Sequence, residues 1–237
     1  MNSSTSATPS PAGSAGTSLA PRVLVILIVG WLLAGYFVVP WLPASAGWEN
    51  SWLENMQVVI LLAGAALACA YARKFARTGS GKPAVALGLC LVPIWLLLVG
   101  RELAWGAALL PPLGMGDDGP EYSSSVLWYK SAVAPVAVVV LVVALAFFAR
   151  FRADRLIWPL LRTRHFPWLA LALGVGSGVL STYAEGHMGM HVVPGWAGHA
   201  LVLEEWAEVA AYLSLVAAQW QVLDWARRLG LSAALGR

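Results

Sequence analysis

Charged residues are scarce in this sequence and make up only 11% of its 237 positions. A soluble globular domain carries roughly 25% Asp, Glu, Lys and Arg, so the scarcity argues against a soluble domain. Hydrophobic residues make up 59% of the chain. Together these proportions indicate a membrane protein. The 13 tryptophans agree with that interpretation, because indole rings favour the headgroup region of a bilayer.

Several motifs are also missing. The chain has only two cysteines, Cys69 and Cys90, and both lie inside apolar runs, so neither a disulfide framework nor a CxxC metal site is indicated. The sequence has no Walker, Rossmann or Ser-His-Asp signature. It also has no internal repeat of the kind found in inverted-repeat transporters. The net charge of +3 could suggest a nucleic-acid partner, but the basic residues occur in short groups between apolar runs. That distribution is typical of membrane orientation, and no nucleic-acid partner is expected.

The first 20 residues, MNSSTSATPSPAGSAGTSLA, have no charged side chain and almost no large apolar one. This composition predicts a disordered tail over residues 1–20. The tail lacks the basic start of a signal peptide, and the apolar run that follows is too long for a signal-peptide core. We therefore expect a retained first helix and a single transmembrane domain over residues 21–237.

Long apolar stretches dominate the rest of the chain. Each is close to the roughly 20 residues that a helix needs to cross a bilayer. They cover approximately residues 22–43, 53–75, 84–110, 126–149, 166–185 and 199–223. The sequence thus predicts an all-α, polytopic membrane bundle of six transmembrane helices. Within the fifth stretch, the run GVGSGVLS from Gly174 has the small-xxx-small spacing of helix contacts.

The basic residues predict the orientation of this bundle. With the tail placed in the cytoplasm, every Lys and Arg except Arg101 and Lys130 falls on the inner side. This is a strong positive-inside pattern, and it predicts that both termini are cytoplasmic. The acidic residues show the opposite bias, since only Asp154 and Asp224 fall on the inner side. Acidic residues contribute little to orientation, so their concentration on the outer side needs another explanation.

The last predicted span carries three glutamates within its first ten residues. Glu204 and Glu208 are four residues apart and share a helix face, and Tyr212 continues that face one turn deeper. Glu205 points about 100° away from them. An ionisable side chain within a membrane segment is costly and usually faces the bundle interior or a wet cavity. These carboxyls could be structural, either in interhelical salt bridges or as protonated, hydrogen-bonded groups. They could also be functional, and the sequence leaves both interpretations open.

Other predicted spans bring polar side chains to the same depth. Arg101 lies near the outer end of the third span, with Glu102 beside it and Trp105 one turn further on. We expect the Arg101 guanidinium to bind carboxylates in bidentate fashion. These residues predict an outward-facing cavity. Its wall combines Glu54, Asn55 and Gln57 of the second span, Arg101, Glu102 and Trp105 of the third, Lys130 of the fourth, and Glu204, Glu205 and Glu208 of the last. Because five glutamates face only two fixed cations, protons, a bound cation or a substrate must balance the charge.

The histidines give a weaker signal. His187 and His191 form an HxxxH pair, which places both rings on one face of a helix and can bind a divalent metal such as zinc. His199 follows after VVPGWAG and would be the third ligand. The alternative is that all three are interfacial histidines without a metal.

Three short segments carry a resemblance to a known group. WENSWLENMQVVILLAG, LLVGRELAWG and LVLEEWAEVAAYL resemble parts of poorly characterised bacterial multipass membrane proteins. Those proteins have an acidic start to an early helix, a Gly-Glu-Glu-x-x-Trp-Gly segment and a late Glu-rich helix. Here Arg101 replaces the first Glu of that segment, and the polar continuation after Trp-Gly is missing. The resemblance implies the bacterial inner membrane and no particular activity.

Three classes of function remain open. The first is a non-catalytic membrane component that contacts the bilayer and a membrane protein partner or a second copy of itself. The second is a hydrolase or transferase acting on a lipid or lipid-linked substrate. Its catalytic residues would be Glu208, Glu204, Arg101 and Glu102, and its substrate-binding residues would be Glu54, Asn55, Gln57, Trp105, Lys130, Glu205 and Tyr212. The third is a proton- or cation-coupled carrier in which Glu208 titrates. The sequence favours the first class slightly.

Overall fold

The computed structural model describes residues 19–116, 119–186 and 194–235, and these residues form an all-α bundle. Within them the helices are α1 (Leu19–Val38), α2 (Trp52–Thr78), α3 (Lys82–Glu102), α4 (Lys130–Arg150), α5 (Asp154–Leu161), α6 (Trp168–Ala184) and α7 (Ala200–Leu235). A short antiparallel hairpin, β1 (Gly114–Gly116) and β2 (Gly119–Glu121), lies between α3 and α4. The all-α fold class predicted from the sequence is confirmed.

Within the described residues, four segments are long and apolar enough to cross a membrane. They are Leu19–Trp41, Ala44–Thr78, Lys82–Glu102 and Lys130–Arg150. α6 is also apolar but has only 17 residues. α7 is a continuous helix of 36 residues, and its apolar sequence contains the charged residues described above. The apolar helices agree with a membrane protein. The number of six spans and the cytoplasmic position of the termini stay predictions.

α7 lies at the centre of the bundle and contacts α1, α2 and α6. Small residues allow this close approach, and the side chains of Ala207, Ala210 and Ala217 are fully buried. α4 contacts α3 but sits at the edge of the bundle, and most of its valines and leucines are exposed. Such an uncovered apolar face is typical of a helix that contacts lipid.

The glycine-rich run of α6 contributes less than its spacing predicts. A Cβ at Gly174 would lie 3.3 Å from the Cβ of Ser214 on α7, so this glycine does face the contact. Gly176 and Gly178 have nothing within 4 Å of that position. Only part of the small-residue run therefore lies between the two helices.

A pair of tryptophans joins α1 to α7. The rings of Trp31 and Trp206 stack with their centroids 3.8 Å apart. Each indole N–H donates to the backbone carbonyl of the other tryptophan, at 3.0 Å in both directions. Gly35 provides the necessary space, because a Cβ there would meet the Trp206 ring at 2.5 Å. α1 is thus held against α7 by stacking and by two reciprocal hydrogen bonds.

The third predicted span ends earlier than residue 110. α3 stops at Glu102, and the chain continues as a 3-10 segment, Ala104–Leu109. The reason is local, since Ala104, Trp105 and Gly106 all have positive φ, at 44°, 59° and 106°. This left-handed backbone cannot continue a right-handed helix. Trp105 therefore does not lie one helical turn beyond Arg101, and its ring folds back against Gly100.

The structure also contains elements that the span boundaries did not predict. α5 fills part of the segment between the fourth and fifth spans, and its residue Leu160 is fully buried. α4 begins at Lys130, later than the predicted start at residue 126, and α7 continues past the predicted end at residue 223.

An acidic pocket between the ends of α2, α3 and α7

A pocket of about 630 Å³ lies where the N-terminal ends of α2 and α7 meet the C-terminal end of α3. Its volume is within the range of small-molecule sites, roughly 300–1,000 Å³. Seven glutamates and one arginine are among its lining residues. They are Glu49, Glu54, Glu102, Glu121, Glu204, Glu205, Glu208 and Arg101. We call this site the acidic pocket.

Arg101 stands in the wall of the acidic pocket, with its side chain 59% exposed. Its Nη1 lies 3.3 Å from Glu102 Oε1, and its Nη2 lies 3.8 Å from Glu208 Oε1. These two contacts use different guanidinium nitrogens for the two carboxylates, whereas the sequence predicts a bidentate pairing with one carboxylate. Arg101 instead connects a glutamate of its own helix to a glutamate of α7.

Tyr212 is buried and contacts both members of the Arg101–Glu102 ion pair. Its hydroxyl accepts a hydrogen bond from Arg101 Nη1 at 3.0 Å and donates one to Glu102 Oε1 at 2.6 Å. The Glu102 side chain is also nearly buried. A buried carboxylate needs donors to offset the loss of water, and Tyr212 and Arg101 both supply them.

Glu208 and Glu205 have separate partners on neighbouring helices. Ser181 of α6 donates to Glu208 Oε1 at 3.3 Å. Gln57 of α2, which is fully buried, donates from Nε2 to both the Glu205 carboxylate and its backbone carbonyl. The Oε1 atom of Gln57 is buried and has no hydrogen-bond partner in the described residues. Glu205 is therefore held from α2, and Glu208 is held from α6.

The rim of the pocket is formed by loops rather than by helices. Asn50 donates to the Ala108 carbonyl at 3.1 Å, and Glu49 accepts from the Tyr122 backbone N–H at 2.8 Å. The hairpin approaches the ring of Trp48 so closely that a Cβ at Gly119 would lie 2.5 Å from it. The loop before α2 and the segment after α3 thus hold each other over the site.

Several of these rim residues were missed by reasoning from the sequence. Glu49, Asn50, Glu121 and Tyr122 all line the pocket. The polar WEN at residues 48–50 was a usable signal for the first two. Helix periodicity cannot place Glu121 or Tyr122, because they belong to the hairpin and the loop after it.

The predicted site residues divide into two groups. Glu54, Arg101, Glu102, Glu204, Glu205 and Glu208 come together in the lining. The lining does not include Asn55, Gln57, Trp105, Lys130 or Tyr212. Asn55 donates to the Ser51 carbonyl at 2.8 Å, and Lys130 donates to the Ser124 hydroxyl. Gln57 and Tyr212 support the lining from behind.

Two of the three proposed histidine ligands, His187 and His191, lie outside the described residues. His199 is half-buried, its Nδ1 has no hydrogen-bond partner in the described part of the chain, and it is not among the residues that line the pocket. Over residues 19–116, 119–186 and 194–235, no group of three His, Cys, Asp or Glu side chains is arranged to hold a metal ion.

No protein-family model matches this chain, and neither a curated protein nor a solved structure matches it. Its function has to be argued from the acidic pocket itself.

The pocket combines a high density of carboxyl groups with partial exclusion from water. If all seven glutamates were ionised, seven carboxylates would face one guanidinium within the described lining. Carboxylates accept hydrogen bonds and attract cations, and both effects strengthen when water is partly excluded. The site is therefore suited to binding positive charge.

Proposed function

We propose that this chain is a multipass membrane protein that binds a small organic cation, such as an amine, in the acidic pocket. It acts without catalysing a reaction. The observation that carries the proposal is the excess of glutamates over Arg101 in one pocket of small-molecule size. This function belongs to the class of non-catalytic membrane components that the sequence favours.

The distribution of the carboxylates supports an organic cation over a compact metal ion. Hard cations such as Ca²⁺ need several oxygen ligands at 2.3–2.6 Å, converging on one point. In the described residues the glutamates come from the loop before α2, from α2, α3 and α7 and from the hairpin, and no three of them are arranged for a metal. Dispersed carboxylates suit a ligand with several N–H donors spread over its length.

The membrane setting of this proposal rests on the four apolar helices. We place the protein in a bacterial inner membrane with six spans, cytoplasmic termini and the pocket facing outward. The positive-inside pattern and the resemblance of three sequence segments support this placement. A membrane protein partner or a second copy of the chain could bring the cationic group as a side chain.

The two other classes of function receive less support. A metal-dependent hydrolase or transferase would require His187 and His191, which lie outside the described residues. A proton-coupled carrier would use Glu208, but the sequence has no internal repeat of the kind found in inverted-repeat transporters. The contacts of Glu208 with Arg101 and Ser181 also agree with a fixed binding site.

The proposal can be tested by thermal unfolding of the full-length protein in detergent, with tryptophan fluorescence as the readout. Spermidine is the organic probe, and Ca²⁺ at the same ionic strength is the metal probe. We expect spermidine to raise the Tm in a saturable way, because a ligand that binds only the folded state stabilises it. Replacing Glu204→Gln together with Glu208→Gln should weaken the apparent spermidine affinity by about tenfold or more, which corresponds to about 1.4 kcal/mol.

Asp154→Asn is the matched control, because it removes an exposed carboxylate outside the pocket. Its spermidine response should equal that of the unchanged protein. An absence of saturable stabilisation would overturn the proposal. So would an equal loss in Asp154→Asn, or a shift produced by Ca²⁺ but not by spermidine.

A further inference from the structure

The end of the molecule opposite the acidic pocket carries a second feature, formed by α5. Helix periodicity places Arg155, Trp158 and Arg162 on one side of this element, at positions i, i+3 and i+7. All three are exposed, and Trp158 is 61% exposed. We call these three residues the α5 basic face.

The other side of α5 fixes it to the bundle. Leu160 is fully buried, and Leu156 and Ile157 contact a cluster that includes Phe75 of α2 and Leu223 of α7. α5 is thus an amphipathic helix with its apolar side already occupied by the protein. Its outward side is left with two guanidinium groups and an indole ring.

The position of α5 relative to the bilayer follows from α4. α4 is one of the four helices able to cross a membrane, and it ends at Arg150, only four residues before α5 begins. A segment that leaves a spanning helix at its end must lie close to the headgroup region. Tryptophan favours that region, and Arg can reach lipid phosphates from it.

The charge of the segment matches an anionic surface. Arg150, Arg152 and Arg164 are exposed near the α5 basic face. Asp154 is the one acidic residue in the interval 150–164, and its Oδ1 lies 3.5 Å from Arg152 Nε. The Arg162 guanidinium carbon lies 5.5 Å from the centre of the Trp158 ring. This contact holds the cation beside the indole.

We propose that the α5 basic face is a docking site for the headgroups of anionic phospholipids in the adjacent leaflet. Arg155 and Arg162 bind the phosphate oxygens, and Trp158 inserts between neighbouring headgroups. A basic side chain near a negatively charged leaflet contributes about a fivefold gain in affinity. This site is independent of the cation-binding function proposed for the acidic pocket.

The test is native mass spectrometry of the full-length protein released from mixed micelles with equal amounts of phosphatidylglycerol and phosphatidylcholine. We expect bound phosphatidylglycerol to exceed bound phosphatidylcholine. Replacing Arg155→Gln together with Arg162→Gln should lower the ratio of the two lipids by at least fivefold. Both side chains are exposed, so the double variant should keep its fold, and its Tm without added lipid checks this.

Arg73→Gln with Arg77→Gln is the matched control, since it removes two exposed arginines from α2 at the same end of the bundle. This control should keep the preference for phosphatidylglycerol. The proposal is overturned if the two lipids bind equally or if both double variants lose the preference to the same extent. It is also overturned if inorganic phosphate at the same concentration displaces the bound lipid.

Discussion

Tyr212 carries the polar contacts that hold the floor of the acidic pocket together. Its hydroxyl stands between Arg101, which donates to it, and Glu102, which accepts from it. The ring contributes separately to an apolar cluster with Leu61 and Trp95. A change that removes only the hydroxyl therefore separates the polar role of this residue from its packing.

Tyr212→Phe should lower the stability of the folded protein by about 1–3 kcal/mol, because it leaves the buried Glu102 carboxylate with one donor fewer. The measurement is the Tm in detergent, which should fall by several degrees. The matched control is Tyr36→Phe, since Tyr36 is 67% exposed. Equal Tm values for the two variants would contradict a structural role for the Tyr212 hydroxyl.

Some of the pocket could be predicted at the level of single residues. Glu204 and Glu208 face the same space because they are four residues apart on one helix. Arg101 reaches Glu208 because it lies at a similar depth on a neighbouring helix. Depth alone places Lys130 with them, but in the structure Lys130 donates to Ser124, which precedes α4. Depth along a span therefore predicts which residues share a layer, but not which of them make contact.

At the scale of the elements, close contact between α2 and α3 depends on the absence of a side chain at Gly88. A Cβ at Gly88 of α3 would lie 2.9 Å from the Ala72 Cβ and 3.1 Å from the Ala68 carbonyl oxygen. Neither group belongs to a flexible side chain that could move aside. The two helices would have to separate to accommodate even one methyl group.

Gly88→Ala should accordingly destabilise the protein by about 1–3 kcal/mol through overpacking. Gly176→Ala is its control on α6, where a Cβ would meet nothing within 4 Å. Alanine has the higher helix propensity, so this control should be neutral or stabilising by up to about 1 kcal/mol. Thermal unfolding of both variants measures the difference, and a Gly88→Ala protein as stable as the unchanged one would contradict the packing argument.

The existence of the long helices could be predicted because an uninterrupted run of about 20 apolar residues is typical of a membrane-spanning helix. Their ends could not be predicted equally well. α3 ends shortly before Trp105 and Gly106, which adopt a left-handed backbone conformation. A tryptophan in the sequence does not predict that conformation. α5 is only eight residues long, and part of its stability comes from burying Leu160 against other helices. Such tertiary contacts are invisible to a pattern read along one segment.

At the scale of the whole molecule, charge is separated between the two ends of the bundle. The acidic pocket lies at one end. The described Lys and Arg residues other than Arg101 and Lys130 lie toward the opposite end. They are found at the start of α1, near the turn between α2 and α3, around α5 and late in α7. The sequence predicts this polarity from the spacing of basic residues, but it does not predict that the glutamates would share one pocket.

The predicted orientation can be tested by labelling single cysteines in intact cells with a membrane-impermeant maleimide. In a background of Cys69→Ala and Cys90→Ala, Ser125→Cys lies on the pocket side and should react. Thr78→Cys lies at the end of α2 and should react only after the cells are opened. Ser125 and Thr78 are both exposed, so access to the reagent depends on the membrane alone. The reverse pattern of labelling would invert the orientation proposed here.

The stacked pair of Trp31 and Trp206 has an optical consequence. Two indole rings 3.8 Å apart and 10° from parallel couple their electronic transitions. The coupling should appear as an exciton couplet in the far-ultraviolet circular dichroism spectrum, superimposed on the helical bands. Because one chromophore belongs to α1 and the other to α7, the couplet should vanish when these helices separate. The protein thus contains an intrinsic spectroscopic signal that reports whether α1 and α7 are in contact.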